Sequence, residues 1–307
     1  MEIQLVVEDC GFLEGPVAMS DGSIIATEIE LGRLIRVSPD GKTSVLVETE
    51  GGPNGAAIGP DGALYVTNNG GSFHYQRVNG LNIPGPTPPG HKGGYIQRVD
   101  LSSGKVEKLY DSCDGRPLWG PNDLVFDKHG GFWFTDHGCT TPDGRNFGGL
   151  YYAKADGSKI TRARDHMISP NGVGLSPDGK VVYMADTQTG RLWAFDVAAP
   201  GELAAPGGLV PAYMPGRVIA TLPGYQFLDS LAVEAGGKVC VATIFNGGIT
   251  AFDPDGSTEH FAFPDIVTTN ICFGGADMRD AWVTCSSTGK LFKCRWPRPG
   301  LKLNHNA

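Results

Sequence analysis

One outline recurs six times along this 307-residue chain. It consists of a loop ending in a carboxamide or carboxylate, a short apolar strand, a tight Gly-containing turn, and a second strand rich in β-branched and aromatic residues. The outline is clearest at Ser169-Pro170-Asn171-Gly172, with its turn at Pro177-Asp178-Gly179. It fits Leu13-Glu14-Gly15-Pro16 with Asp21-Gly22, and Gly52-Pro53-Asn54-Gly55 with Pro60-Asp61-Gly62. It returns at Gly120-Pro121-Asn122-Asp123, at Phe227-Leu228-Asp229-Ser230 and, more loosely, at Thr268-Thr269-Asn270-Ile271. The polar anchors Glu14, Asn54, Asn122, Asn171, Asp229 and Asn270 stand 40, 68, 49, 58 and 41 residues apart. Strand-like repeats at this period mark the blades of a β-propeller.

The expected fold is therefore all-β, a six-bladed β-propeller of four-stranded antiparallel blades forming one domain over 1–307. Gly at 45 and Pro at 22 supply the turns that so many short strands require. The last unit has strands near 270–273, 281–284 and 289–295, one short of four. The lone strand at residues 3–8 fills the gap, so the ring closes N-terminus to C-terminus and leaves no free edge. Two connections exceed a tight turn, at 68–93 and 136–148, and these are the expected lid loops. Unit four carries an Ala/Pro/Gly insertion at about 197–216, and 297–307 reads as a surface tail.

A net charge of −8 without a Lys/Arg cluster argues against a nucleic-acid partner. No apolar run approaches bilayer-spanning length, and Met1-Glu2-Ile3-Gln4 carries no secretion signal. Seven cysteines, an odd number with no Cys-x-x-Cys pair, suit a reducing compartment, most simply the cytoplasm. Three apparent motifs fail. Gly174 to Lys180 lacks the Ser/Thr of a phosphate loop, Asp253-Pro-Asp-Gly lacks the closing Glu of an EF-hand, and no Gly-x-Ser-x-Gly elbow exists.

In an up-and-down blade, the approach to strand one and the link from strand two to strand three emerge on one side. The six anchors thus converge at one mouth of the axial channel, overhung by both lid loops. Asx residues before strands often serve only to turn the chain. Two carboxylates and up to four carboxamides around a narrow axis, however, repel or lie unpaired unless something sits between them. A divalent cation resolves both problems, and an all-oxygen set suits a hard ion.

The segments Leu13-Glu14-Gly15-Pro16, Gly120-Pro121-Asn122-Asp123-Leu124, Phe134-Thr135-Asp136, Ser169-Pro170-Asn171-Gly172, Leu228-Asp229-Ser230 and Thr269-Asn270-Ile271-Cys272-Phe273-Gly274-Gly275 span nearly the whole chain. In order and spacing it resembles the six-bladed propeller lactonases that include gluconolactonase, senescence marker protein and luciferin-regenerating enzyme. That resemblance implies a catalytic divalent metal on Glu14, Asn171 and Asp229, with Asn122 at the metal or the substrate. Ca²⁺ is the first expectation, with Mg²⁺, Mn²⁺, Zn²⁺ or Fe²⁺ open. The implied reaction is lactone hydrolysis, through Lewis-acid polarisation of the carbonyl and attack by water. Asp123 resembles a residue suggested as general base in sugar lactonases, and Asp229 is the other candidate for base or nucleophile. Some relatives hydrolyse organophosphate esters, so a phosphotriesterase-like activity and a non-catalytic binding scaffold are the alternatives. Sugar lactonases tend to carry an Arg near the blade-three motif, whereas Arg116 here sits before Pro117-Leu118-Trp119. The expected substrate contacts are Asn122, Trp119, His137, His74 and Tyr75, with Phe73, Tyr225 and Phe227 nearby. This mouth suggests a flatter or more apolar lactone than gluconolactone. Asp136 is expected to steady its loop or hold a second ion.

Overall fold

The computed structural model describes residues 1–142, 144–205 and 216–305. Six antiparallel sheets follow one another around an axis. Blade 1 comprises Leu13–Ala18, Ile24–Glu28, Arg33–Val37 and Thr43–Glu48. Blade 2 comprises Pro53–Ile58, Leu64–Asn68, Tyr95–Val99 and Val106–Tyr110, and blade 3 Pro121–Phe126, Gly131–Asp136, Gly148–Lys154 and Ile160–Met167. Blade 4 runs through Pro170–Leu175, Val181–Asp186 and Arg191–Ala199, with Arg217–Thr221 outermost. Most of its insertion, residues 206–215, lies outside the described residues, as do residue 143 of the second lid and 306–307 of the tail. Blade 5 comprises Phe227–Val233, Val239–Ile244, Gly248–Phe252 and Thr258–Ala262.

The last blade takes Thr268–Gly274, Asp280–Cys285 and Lys290–Arg295 from the C-terminal end and Ile3–Val7 from the N-terminal end. Ile3 pairs with Cys294 and Leu5 with Phe292, which closes the ring as the repeat count requires. The hydrophobic core lies between blades. Tyr65, Phe126, Phe132, Phe134 and Tyr151 fill one wedge, and Trp133, Trp193 and Phe195 the next. All seven cysteines are free thiols. Among the described residues no helix is long and apolar enough to cross a membrane.

The turn signals behave as their chemistry dictates. At Pro60-Asp61-Gly62 the Asp61 carboxylate accepts the Ala63 N–H, and Gly62 takes φ +77, which a side chain would oppose. The two long connections, by contrast, each contain a hairpin: Tyr75–Val78 with Leu81–Pro84, and Cys139–Thr141 with Gly144–Asn146. The segment after Trp296 is also more engaged than a surface extension. Leu301 donates to the Val233 carbonyl and Asn304 to the Phe126 carbonyl, so the tail crosses the turn-side face from blade 5 to blade 3. Glu234 anchors it by accepting the Trp296 indole N–H at 2.7 Å and Arg298 Nε at 2.6 Å.

Candidate active site

Every innermost strand carries a β-bulge, and the polar anchors sit at these bulges. Between its pairs Pro121↔Asp136 and Leu124↔Phe134, blade 3 sets Asn122 and Asp123 opposite Thr135 alone. Blades 2, 4 and 5 repeat this with Asn54-Gly55, Asn171-Gly172 and Asp229-Ser230. In blade 1 the extra residues are Gly15-Pro16, directly after Glu14, and in blade 6 the shift falls between Thr268 and Asn270. A bulge re-aims the side chain it carries. Bulges at corresponding places in the six blades bring Glu14, Asp123, Asn171, Asp229 and Asn270 within reach of one another. Gly15 shows how tight the ring is. Its φ is +49, and a Cβ there would run into the Asn54 carbonyl oxygen of the next blade.

A threonine facing the bulge in strand two holds the neighbouring blade in register. Thr27 donates to the Asn54 carbonyl at 2.7 Å, Thr67 to that of Asn122 at 2.6 Å, and Thr135 to that of Asn171 at 2.5 Å. Ser286 plays the part in blade 6, donating to the Leu13 carbonyl at 2.5 Å. Thr67→Val should leave the Asn122 carbonyl and the Gly55 N–H, which Thr67 Oγ1 accepts at 2.9 Å, without partners. The expected cost is about 1–3 kcal/mol, read as a lower urea midpoint at unchanged slope.

The carboxylates at the hub are buried together. Glu14 Oε2 accepts the Gly15 N–H at 2.7 Å and Asn270 Nδ2 at 2.6 Å, whereas Oε1 has no partner. Burial first, then the charge of Asp229, pushes the Glu14 carboxyl well above the usual range. Asp229 is pushed up to about 8 by burial and by Asp123, against the opposing hydrogen bonds from the Asn171 amide and the Ser230 N–H. Asp123 is raised to about 7 by burial, although it accepts from the Leu124 and Val173 N–H groups and the Ser230 hydroxyl. Asn122 Oδ1 is likewise buried without a partner. Asn171 turns its amide nitrogen towards Thr187 Oγ1 at 3.0 Å and towards Asp229, and its oxygen receives the Ser230 hydroxyl at 3.3 Å.

Rings from the lid roof this hub. Phe12 meets Tyr75 at 5.1 Å, Tyr75 meets Phe73 at 6.5 Å, and Phe73 meets His137 at 6.1 Å, a row running from blade 1 to blade 3. The Tyr75 hydroxyl is buried and unpartnered, and the carboxylates Glu30, Glu14 and Asp229 all bear on it. His137 bonds the Pro170 carbonyl and leaves Nδ1 buried and bare, so that nitrogen is an acceptor. Burial and the Arg145 charge lower its pKa to about 3, which keeps the imidazole neutral.

Other expected contacts lie further out. The His74 side chain is exposed, and Trp119 packs against His91. Arg116 pairs with Asp165 at 2.6 Å on the exposed side and takes no part at the hub. Asp136 accepts the N–H groups of Trp119, Gly120 and Gly138 at 2.7, 2.7 and 2.8 Å, so it steadies its loop. Sequence reading missed Phe12, the inter-blade threonines, and Glu28, Asn68 and Asp186. These last three end second strands as Asp136 does, and each bonds the loop that leads into its own blade.

The oxygen chemistry fits a hard divalent cation. Two buried oxygens, Glu14 Oε1 and Asn122 Oδ1, lack any donor, and Glu14 and Asp229 repel one another. Among the described residues no group of three or more His, Cys, Asp or Glu side chains forms a metal cluster, so an ion here would need the carboxamides too.

Residues 12–287 match the sequence profile of the SMP-30/Gluconolactonase/LRE-like region. The chain is 24% identical over 297 residues to a gluconolactonase of Zymomonas mobilis, covering 89% of this chain and 76% of that one. It is 26% identical over 258 residues to lactonase drp35 of Staphylococcus haemolyticus, covering 82% and 70%. Among solved structures, the calcium-binding protein regucalcin of Agrobacterium tumefaciens superposes with a TM-score of 0.74 at 18% identity over 98% of both chains. The last likeness establishes the fold.

Proposed function

The chain belongs to the SMP-30/gluconolactonase/LRE-like family, and from that premise we propose that it is a divalent-metal-dependent lactone hydrolase. The observation that carries this reading is the convergence of Glu14, Asp229, Asp123 and Asn122 under one roof of aromatic rings. The names of the gluconolactonase and lactonase relatives give the substrate class.

Glu14, Asn122 and Asp229 would hold the ion, joined by Asn171 once its amide turns over to present oxygen. When bound, a divalent cation polarises the lactone carbonyl and lets both carboxylates ionise side by side. Asp229 is the proton acceptor for the attacking water, because Asp123 is already engaged by three donors. Asp123 takes one donor from its own strand, at Leu124, and two from the next blades, at Val173 and Ser230, and so ties those blades together around Asp229. As water attacks, its oxygen bonds to the carbonyl carbon and the ring C–O bond breaks. The proton taken by Asp229 passes to the departing alkoxide, and the product is a hydroxy acid. The Tyr75 hydroxyl donates to substrate oxygen, His137 Nδ1 accepts from a substrate hydroxyl or from water, and the roof limits bulk solvent.

Proton release from a panel of γ- and δ-lactones tests the reading. Chelation is expected to abolish turnover and one divalent ion to restore it. A binding scaffold predicts no turnover before or after chelation, and a phosphotriesterase-like enzyme prefers paraoxon-type esters to every lactone.

A further inference from the structure

One exposed feature beside the site has no structural task. Tyr225, Phe227 and Phe245 form a closed triangle of rings with centroids 5.2, 5.0 and 5.2 Å apart. A buried aromatic cluster would need no explanation, but Tyr225 is 74% exposed and Phe245 46%. Ile266, also 46% exposed, extends the apolar surface and accepts the Phe245 N–H at 2.7 Å. Phe245 adopts φ +72, a left-handed region that bulky side chains rarely occupy. That backbone holds the ring outward, where burial returns little.

The triangle is continuous with the mouth of the site. Phe227 opens the inner strand of blade 5, pairs with Ile244 at the end of the second strand, and stands two residues before Asp229 at the entry to the bulge. Phe245 lies in the connection between the second and third strands of that blade, on the face where the anchors gather. Its neighbour Ile244 packs against the cluster of Phe12, Ile29 and Val267, as Tyr75 does, which ties the ledge to the roof.

Resting on the lactonase reading, we infer that the Tyr225–Phe227–Phe245 ledge binds an apolar substituent of the substrate, an alkyl or aryl tail on the lactone ring. The ring sits over Asp229 and the tail runs out along the three aromatic faces. Rigid aromatic surface already desolvated on one side gives affinity at little entropic cost. A substrate with only hydroxyl substituents would leave the ledge wet.

The experiment compares kcat/KM for γ-lactones with tails from none to six carbons, in the wild type, Tyr225→Ala and Phe245→Asn. Asn tolerates the left-handed backbone while removing the ring. In the wild type kcat/KM is expected to rise roughly two- to fourfold per methylene that reaches the ledge. The ratio of longest to shortest substrate should fall at least tenfold in each variant, and Phe245→Leu should recover part of it. A flat wild-type series, or a slope both variants keep, overturns the ledge while the lactonase reading stands. If the wild type hydrolyses no lactone of any length, both fall together. A flat series accompanied by dimerisation that Tyr225→Ala abolishes assigns the surface to a second copy of the chain and overturns the proposal.

Discussion

Asp229→Asn and Glu14→Gln are each expected to remove nearly all turnover while making the chelated protein more stable. Asp229 is asked to accept a proton and to hold the ion, so its loss should lower kcat/KM by roughly 10²–10⁴-fold or more. Glu14→Gln keeps the shape but withdraws the charge that faces Asp229. The stability effect runs the other way. Without an ion these two groups lie buried among carboxylates, which raises both well above their ordinary values, so near neutral pH each costs stability as a charge or as a proton taken up on folding. A neutral amide of the same size ends the repulsion, for a gain of about 1–3 kcal/mol, or a melting temperature several degrees higher. Residues that served only as turn caps would give the opposite pattern, with activity kept and stability lost. Circular dichroism melts after chelation, beside the activity assay, separate the two.

The second large effect is a dependence of stability on pH that a divalent ion erases. Asp229 and Asp123 titrate near 8 and 7 in the folded chain, against an ordinary value of 3.8. The folded state therefore binds more protons than the unfolded state across that interval. Stability is fully present below about 4 and is lost as pH rises through about 8. His137 works in the opposite sense. Its pKa is lowered from 6.5 to about 3, so its contribution is present above 6.5 and lost on acidification. The clean window lies above pH 6.5. There the chelated protein should lose melting temperature up to about pH 8.5, and saturating divalent ion should flatten the curve. An ion effect of equal size at pH 6.5 and 8.5 would show that the cation does not replace protons at these carboxylates.

Much of the architecture was legible because it is local and repeated. Asp61-Gly62 and Asp178-Gly179 announce hairpins by chemistry any reader of turns can apply, and repetition at Glu14, Asn54, Asn122, Asn171, Asp229 and Asn270 fixes the ring. Strand polarity then put the two long connections between second and third strands on the side where the inner strands begin. What stayed hidden is non-local. The hydrogen bond from Asn270 to Glu14 joins residues 256 apart, and the one from Thr67 to Asn122 spans 55. Thr67 looks like any β-branched strand residue until the ring brings the next bulge within reach. The second circle of Glu28, Asn68, Asp136 and Asp186 was readable in principle, as a polar residue ending each second strand. Its task was not readable, because the N–H groups it accepts belong to loops that are ordered only in the fold. Phe245 was missed because nothing local marks it, and its left-handed backbone appears only in three dimensions. The expectation that Asn171 offers oxygen to an ion says nothing of its resting hydrogen bonds, in which its nitrogen faces Asp229, because a carboxamide beside a carboxylate turns its donors towards it.

Calorimetric titration of divalent cations into chelator-treated protein tests the account most directly, run on the wild type, Glu14→Gln and Asp229→Asn at pH 7 in buffers of different ionisation enthalpy. One ion per wild-type chain is expected, with protons released on binding because the carboxyls start partly protonated, and weak or no binding in either variant. Binding that both variants retain at wild-type strength would contradict it, as would a wild-type chain that takes up none of Ca²⁺, Mg²⁺, Mn²⁺, Zn²⁺ or Fe²⁺.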